Sequence, residues 1–231
     1  MKKKKARKYL KKEWKVMERY LKTYLKKKNQ EDLHQFRVQV KKLQAFFTLS
    51  DHSSDAELTP AFKPVKKVFK QAGEVRNAYI SGKLTQRRRS ADEAARNFRK
   101  HAEEYQESIV KVRRMLKNKL RPMNNKTLQQ FYENQLHQIA AGLAKQPSAG
   151  QLHECRKRIK VLLYNYPLIH DKLLFSLDTA YLDHLQEAIG NWHDHWLAGT
   201  LTANTIRVTN ELTRNFYERA LGQPDQDHAL S

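Results

Sequence analysis

The chain has one cysteine, seven glycines and six prolines among its 231 residues, and each scarcity removes a class of protein. The single thiol, Cys155, leaves no partner for an internal disulfide and excludes a zinc site built from several cysteines. Because no run of about 18 apolar residues is present, we expect no transmembrane helix. No apolar segment follows Lys2–Lys5, so we expect no secretory signal and a location in the reducing cytoplasm.

Acidic residues are also scarce relative to basic ones. The chain has 45 Lys and Arg against 24 Asp and Glu, which gives a formal net charge of +21 and a pI near 10.0. A charge of this size attracts nucleic acid, an anionic membrane surface or another polyanion. We therefore expect a polyanion as the partner, and we expect Lys2–Lys5 to form a mobile basic tail.

The few glycines and prolines, and the absence of strand-like alternation, favour an all-α fold. Apolar residues recur three and four positions apart at Leu33, Phe36, Val40, Leu43 and Phe47, and again at Leu152, Cys155, Ile159, Leu162 and Tyr166. This spacing is typical of the core-facing side of a bundle helix, and it predicts that the Cys155 thiol is buried and inert. Eight helices are predicted, four in each half, at about 5–28, 31–50, 61–83, 88–118, 127–145, 149–166, 176–199 and 203–221. A polar loop is predicted at 51–60, and a linker between the halves at 121–125.

A short motif occurs twice. Leu-His, Arg and Lys recur in register in the segments 33–43 and 152–162, about 119 residues apart, which indicates an internal duplication. Each copy places its His, Arg and Lys at i, i+3 and i+7, which is a single stripe on a helix. The stripe lies one position from the apolar face, so it borders the core and favours a cleft wall. Two such stripes suggest a protein that binds a polyanion.

A second pair of segments supports the duplication. Residues 73–84 and 190–201 share two glycines nine residues apart, an aromatic residue three before the second glycine and a Leu two after it. The offset is about 117, close to that of the first pair. A glycine weakens a helix by roughly 1 kcal/mol relative to alanine, so each motif could contain a tight turn, at Gly73 and at Gly190.

With these two elements the chain resembles the family of the conserved histidine alpha-helical domain (CHAD). The signature of that family is a repeated His-x-x-Arg-x-x-x-Lys/Arg helix, followed in each half by a Leu-Gly-x-x-Arg/His-Asp segment. Asn77 stands where the second element usually has Asp, and Gln44 and Leu163 stand where the family often has another Arg.

The resemblance covers the whole chain, and it implies a single domain over 1–231 with half-repeats at about 5–120 and 125–222. The fold that it implies is all-α, with two pseudo-symmetric four-helix bundles. The tail at 223–231 is expected to be disordered.

Domains of this family bind inorganic polyphosphate along a basic channel between their halves, so the resemblance implies a polyphosphate-targeting or regulatory module. It is expected in the cytoplasm, in association with polyphosphate granules. Carried over by motif, the residues that would bind polyphosphate are His34, Arg37, Lys41, His153, Arg156 and Lys160, with secondary contacts from Lys42, Arg76, Lys157 and His193. The two histidines could contact the anion directly or orient a neighbouring helix, and the sequence leaves both roles open.

Two other functions remain open. The same charge could bind nucleic acid, although most aromatic residues lie at core spacing and do not suggest an exposed stacking surface. The run His193-Asp194-His195 could belong to a metal-dependent phosphohydrolase, but the sequence offers no cluster of further ligands. Since neither a phosphate-binding glycine loop nor a nucleophile elbow is present, we expect no catalytic residues, no metal and no cofactor.

Overall fold

The computed structural model describes residues 1–85, 88–144 and 147–221, and at 81–85 and 88–91 it describes the backbone alone. Within these ranges the fold is all-helical, as predicted. The chain divides into two compact units, Met1–Met123 and Asn124–Ser231. In the part of the chain that is described, every helix is too short or too polar to cross a membrane.

Eleven α-helices make up the described part of the two units. The first unit contains α1 (Lys3–Lys27), α2 (Gln30–Ser54), α3 (Leu58–Ala61), α4 (Lys63–Thr85), α5 (Arg88–Lys100) and α6 (Ala102–Lys119). The second unit contains α7 (Asn125–Leu143), α8 (Ala149–Ile169), α9 (Thr179–Leu197), α10 (Ala203–Thr213) and α11 (Phe216–Ala220), with a 3₁₀ turn at His170–Lys172 after α8.

The core of the first unit lies between the apolar faces of α1, α2 and α4. The predicted apolar face of α2 is confirmed, because all five of its members are fully buried: Leu33, Phe36, Val40, Leu43 and Phe47. At the start of helix α2, the side chain of Asn29 accepts a hydrogen bond from the backbone N–H of Glu31 at 2.9 Å. This cap fixes the first turn of α2 and therefore the register of the motif that follows.

The second unit is organised around α8. This helix begins with a capping box, in which the Ser148 hydroxyl and the Gln151 side chain each accept a hydrogen bond from the other residue's backbone N–H. Cys155 and Ile159 are buried on its apolar face, as predicted, and Tyr166 is half-buried. Burial raises the pKa of the Cys155 thiol, which keeps it protonated and unreactive.

The predicted polar loop at 51–60 was wrong in its bounds. Helix α2 continues to Ser54, and α3 follows after three residues. The carboxylate of Asp51 accepts hydrogen bonds from the backbone N–H groups of Leu58 at 2.6 Å and Thr59 at 2.8 Å. It thereby supplies acceptors to the first turn of α3, a role that the composition of the segment does not reveal.

Two long predicted helices are each broken in two. Helices α5 and α6 meet at His101, and the ring Nδ1 of His101 lies 3.0 Å from the Asn97 carbonyl oxygen. In a continuous helix this carbonyl would instead accept a hydrogen bond from the backbone N–H of residue 101. Helices α10 and α11 are separated at Asn215, which has a left-handed φ of 50°. The expected turns at Gly73 and Gly190 do not occur, because both glycines lie inside helices.

The basic N-terminal segment was also predicted wrongly. Lys3 already belongs to α1, Met1 is buried, and the N-terminal ammonium donates a hydrogen bond to the Met123 carbonyl. Lys2–Lys5 is therefore held at the start of a helix. The predicted disorder of 223–231 lies outside the described residues.

Candidate anion-binding site

In the first unit, the motif arginine is anchored to the helix that faces it. Arg37 is half-buried, and its Nη1 donates a hydrogen bond to the Phe69 carbonyl on α4 at 2.7 Å. Its guanidinium also lies over the Phe69 ring, 4.2 Å from the centroid. A Cβ at Gly73 would overlap this guanidinium, with Cζ only 3.1 Å away. The glycine therefore provides the close approach that lets Arg37 reach the backbone of α4.

Phe69 is four residues before Gly73, so its carbonyl also accepts the helical hydrogen bond from the glycine N–H. Arg37 uses the second lone pair of that oxygen. A guanidinium carries five N–H groups, so a single bond to the backbone leaves donors that a ligand can use. Burial lowers the pKa of Arg37, and the positive charge of Arg76 lowers it further.

His34 lies beside Arg76, which is one helical turn after Gly73 on α4. Burial lowers the pKa of the His34 imidazole, and the charges of Arg76, Lys41 and Arg37 add to this effect against the opposing charge of Glu31. The ring is therefore mainly neutral at pH 7 in the free protein. An anion placed among these cations would reverse the balance and favour the imidazolium.

The two lysines of this motif differ in exposure. Lys41 is exposed at the end of the stripe, while Lys42 is half-buried. The charge of Lys41 acts on His34, so the three motif residues His34, Arg37 and Lys41 and the predicted secondary contact Arg76 form one electrostatic cluster. We call this cluster the first stripe.

In the second unit, Arg156 makes the corresponding contact. Its Nε donates a hydrogen bond to the Gln186 carbonyl on α9 at 2.9 Å. A Cβ at Gly190 would lie 2.7 Å from Nη2 and 2.8 Å from Cζ of Arg156. Gln186 is four residues before Gly190, just as Phe69 is four before Gly73.

The motif histidine of this unit has a partner at the same step along the facing helix. The ring of His153 lies 5.1 Å from that of His193, which is three residues after Gly190. Burial lowers the pKa of His153, and the positive charge of Lys157 and the neighbouring His193 imidazole lower it further. Lys157 itself is exposed and forms an ion pair with Glu154 at 2.5 Å. We call the cluster His153, Arg156, Lys160 and His193 the second stripe.

Two carboxylates flank the second stripe. Burial and the Arg156 charge lower the pKa of Lys160, while Asp183 and Glu187 on α9 raise it. Asp183 and Glu187 lie seven and three residues before Gly190. The positions seven and three before Gly73 are Lys66 and Lys70. At the positions before the glycine where the second unit has two acids, the first unit thus has two bases on α4. This difference was not predicted.

The run His193-Asp194-His195 does not converge on one point. His193 Nδ1 lies 3.8 Å from the Asp194 carboxylate, whereas His195 Nδ1 lies 3.0 Å from the Thr200 hydroxyl. Over the described ranges, no three His, Cys, Asp or Glu side chains are grouped as metal ligands. What the structure places beside His193 is the motif histidine, His153.

Each unit therefore brings its predicted His, Arg and Lys together with the residue that follows its glycine by three positions. The backbone acceptors Phe69 and Gln186 and the flanking acids Asp183 and Glu187 were not predicted. The acids could have been predicted by aligning the two glycines and comparing the residues that precede them. The carbonyl acceptors could not, because a sequence does not show which backbone groups a side chain reaches.

The family expectation is confirmed by comparison with known proteins. A family model described as CHAD domain matches residues 8–203. This match spans most of the 231 residues, so the chain belongs to the CHAD domain family. Comparisons with curated proteins and with solved structures each gave no match.

Proposed function

We propose that this CHAD domain binds inorganic polyphosphate through the first and second stripes and does not alter it chemically. The observation that carries the proposal is the anchored arginine in each unit, Arg37 against Gly73 and Arg156 against Gly190. Each arginine is held on a helix face together with a histidine and a further cationic or titratable side chain. Such a group offers planar donors and positive charge to successive phosphates.

Polyphosphate fits these stripes because every unit of its chain carries charge. A row of cations spaced along a helix can neutralise several phosphates at once and release their counterions, which favours binding by entropy. The formal charge of +21 adds a field that raises the encounter rate. The role that we propose is that of a binding module which targets or regulates polyphosphate in the cytoplasm, where polyphosphate granules would be its location.

We also propose that the two units descend from one duplicated unit. The support is the shared arrangement in which an arginine lies against a helical glycine and bonds the carbonyl four residues before it. Shared packing of this detail is a stronger sign of common origin than shared composition. Superposition of the two units on the pairs Arg37/Arg156 and Gly73/Gly190 tests this, since a common origin predicts that His34 then overlays His153.

The binding site is tested by measuring the affinity for long-chain polyphosphate. The wild type is compared with two double variants, each of which loses two positive charges. Lys41→Gln with Arg76→Gln removes two cations of the first stripe without touching the Arg37 anchor. Lys2→Gln with Lys4→Gln removes two exposed cations at the start of α1. We expect the stripe variant to lose about tenfold in affinity and the control to lose less than about threefold. Equal losses in both variants would show that net charge alone binds the polymer.

Nucleic-acid binding is the second candidate, and one observation favours it. Trp196 is 48% exposed and stacks on Trp192, with ring centroids 6.2 Å apart, beside His193. An exposed tryptophan that is stacked on a second one can hold a base of a single strand. Competition between long-chain polyphosphate and single-stranded DNA at about 150 mM salt separates the two functions, because salt screens the nonspecific attraction that they share. We expect polyphosphate to win, and Trp196→Ala to leave its affinity unchanged.

The absence of catalysis is part of the proposal and has its own test. Long-chain polyphosphate incubated with the protein, with and without Mg²⁺ or Zn²⁺, should keep its chain length on a gel. Shortening that is lost in His193→Gln would instead support a phosphohydrolase.

A further inference from the structure

An exposed tryptophan lies near the end of α9, beside the second stripe. Among the side chains that the structure describes, Trp196 is the only exposed Trp, Tyr or Phe. Trp192 lies one turn earlier on the same helix and stacks against it almost parallel, with 7° between the two ring planes. This stack fixes the orientation of the Trp196 ring and leaves about half of the side chain open to solvent. An ordered, accessible ring of this kind suits the flat face of a nucleobase.

The ring adjoins the phosphate-binding groups proposed for this unit. The ring centroids of Trp196 and His193 are 6.1 Å apart, and those of His193 and His153 are 5.1 Å apart. Arg156 comes next, because it lies one turn after His153 on α8 and contacts Gly190, one turn before His193 on α9. Each of these two histidines and Arg156 keeps part of its side chain exposed. An indole, two imidazoles and a guanidinium therefore form one accessible row within the second unit.

The acids of α9 limit how far a run of phosphates extends along this row. Asp183 and Glu187 act on Lys160, at the end of the second stripe that is farthest along the two helices from Trp196. Two exposed carboxylates repel phosphates there, whereas the first unit has lysines at the corresponding positions before its glycine. The second unit is therefore suited to a short run of phosphates between the tryptophan and the acids.

The row also has one stacking ring for several phosphate-binding groups. A single-stranded nucleic acid carries about one phosphate for each base, and the proteins that bind it stack successive bases on aromatic side chains. The first unit has no exposed ring at the positions that correspond to Trp192 and Trp196, because Val75 is buried and Tyr79 is half-buried. One base joined to several phosphates matches the proportions of this row better than a strand of nucleic acid does.

We propose that the second unit binds a nucleoside 5′-polyphosphate, an inference that rests on the function proposed above because it uses the second stripe. The base stacks on the open surface of Trp196, and the phosphates pass His193 and His153 toward Arg156. The guanidinium and the protonated imidazoles donate charge-assisted hydrogen bonds to the phosphate oxygens. The ribose spans the step between the indole and His193.

ATP and tripolyphosphate are the matched ligands for the test, because both contain three linked phosphates and only ATP has a base. The comparison uses the full chain with Lys41→Gln and Arg76→Gln, in which the first stripe is weakened. In this background, at about 150 mM salt and without divalent cations, Trp196→Ala should weaken ATP binding about tenfold. Tripolyphosphate binding should change by less than about twofold. Equal losses for the two ligands, or no loss for ATP, would overturn the proposal.

Two further variants separate stacking from general apolar contact. Trp196→Phe keeps a ring at this position and should restore most of the ATP affinity. Leu197→Ala is the matched control, because Leu197 is 66% exposed beside the tryptophan and has no ring. It should leave the affinity for both ligands unchanged. A loss of ATP affinity in Leu197→Ala as large as in Trp196→Ala would contradict stacking on the indole.

Tryptophan fluorescence follows the stacking directly. ATP should quench the emission of the wild type, because a stacked base quenches an indole, while tripolyphosphate should leave it unchanged. In Trp196→Phe, ATP should still bind but no longer quench. Trp14 is fully buried in the first unit and contributes a constant background. Quenching by ATP that persists in Trp196→Phe would place the base elsewhere.

The phosphate end of the ligand is tested with His153→Gln and His193→Gln together. This variant should weaken ATP and tripolyphosphate alike, by about fivefold, since both ligands use the imidazoles. Adenosine lacks the phosphates and should bind at least about a hundredfold more weakly than ATP. Adenosine that binds as tightly as ATP would show that the second stripe contributes nothing, and would overturn the proposal.

The same assay separates a nucleotide from a nucleic acid and from the proposed function itself. An oligonucleotide of deoxythymidine that binds more tightly than ATP, with the same loss in Trp196→Ala, would assign the ring to single-stranded DNA. Failure of long-chain polyphosphate to bind the wild type would contradict the function proposed above. Intact binding of long chains with an ATP affinity that does not depend on Trp196 would overturn this inference alone.

Discussion

The guanidinium of Arg156 occupies the space that a Cβ would take at Gly190, and Arg37 has the same relationship to Gly73. Each pair couples two interactions that are usually separate. The glycine admits the cation to the backbone of the facing helix, and the cation joins that helix to the one that carries the motif. The arginines are therefore part of the packing as well as part of the candidate site.

Gly190→Ala should weaken both folding and polyphosphate binding. The new methyl would lie within 2.8 Å of two guanidinium atoms of Arg156, so the side chain must leave and its bond to Gln186 must break. We expect a loss of about 1–2 kcal/mol in unfolding free energy, since overpacking outweighs the gain of about 1 kcal/mol in helix propensity. Thermal unfolding and a binding titration measure the two effects.

Gly150→Ala is the matched control. A Cβ there would meet only the Ser148 hydroxyl, at an ordinary 3.9 Å, within the first turn of α8. The substitution should stabilise the protein by up to about 1 kcal/mol and leave binding unchanged. If Gly190→Ala behaved like Gly150→Ala, the close approach of Arg156 would have no energetic importance.

Removal of the flanking acids should strengthen binding. Asp183→Asn with Glu187→Gln leaves the shape of the second stripe intact and ends the attraction that competes with a phosphate for Lys160. Both acids are exposed, so we expect a gain of about threefold to tenfold near 50 mM salt that shrinks as screening increases. Titrations at several salt concentrations test this. A gain that did not depend on salt would point to a change in structure.

The pH dependence of stability follows from the motif histidines. Burial and nearby cations lower the pKa of His34 and of His153 in the folded protein. The unfolded chain takes up these protons near the unperturbed pKa of about 6.5, and the folded chain takes them up only at lower pH. The stability of the free protein should therefore fall as the pH drops below about 6.5, and denaturant unfolding at a series of pH values measures it.

Binding should change with pH in the opposite direction. A polyanion favours the imidazolium form, so affinity for long-chain polyphosphate should rise between about pH 8 and pH 6 at constant ionic strength. In His34→Gln with His153→Gln the profile should flatten. A wild-type profile that is already flat would assign both histidines the alternative role of orienting the facing helix.

Cys155 offers a probe of the second unit that is independent of ligand. The thiol is buried, its pKa is raised by burial, and its Sγ lies 3.8 Å from the Ile139 carbonyl. Alkylation by iodoacetamide should therefore be slow in the native protein and fast in denaturant. Rapid modification without loss of helicity would show that α8 separates readily from α7.

The features predicted best from the sequence are those that depend on the spacing of apolar residues along a helix. Phe36 and Ile159 were placed in the core by the three-and-four spacing of their neighbours, and the structure buries both. The helix breaks at His101 and Asn215 were missed because neither position carries a glycine or proline. The backbone contacts of the arginines were not predicted, because charge and spacing say nothing about the carbonyl groups of Phe69 and Gln186 that hold them.

The anchoring of Arg37 and Arg156 also has a consequence for the entropy of binding. A free arginine on a surface samples many rotamers, and fixing such a side chain on binding costs about 0.5–1.5 kcal/mol. The backbone bonds and the neighbouring glycines meet this cost when the protein folds, before any ligand arrives. Each hydrogen bond from an anchored guanidinium thus retains more of its enthalpy as affinity than one from a side chain that the ligand itself must order.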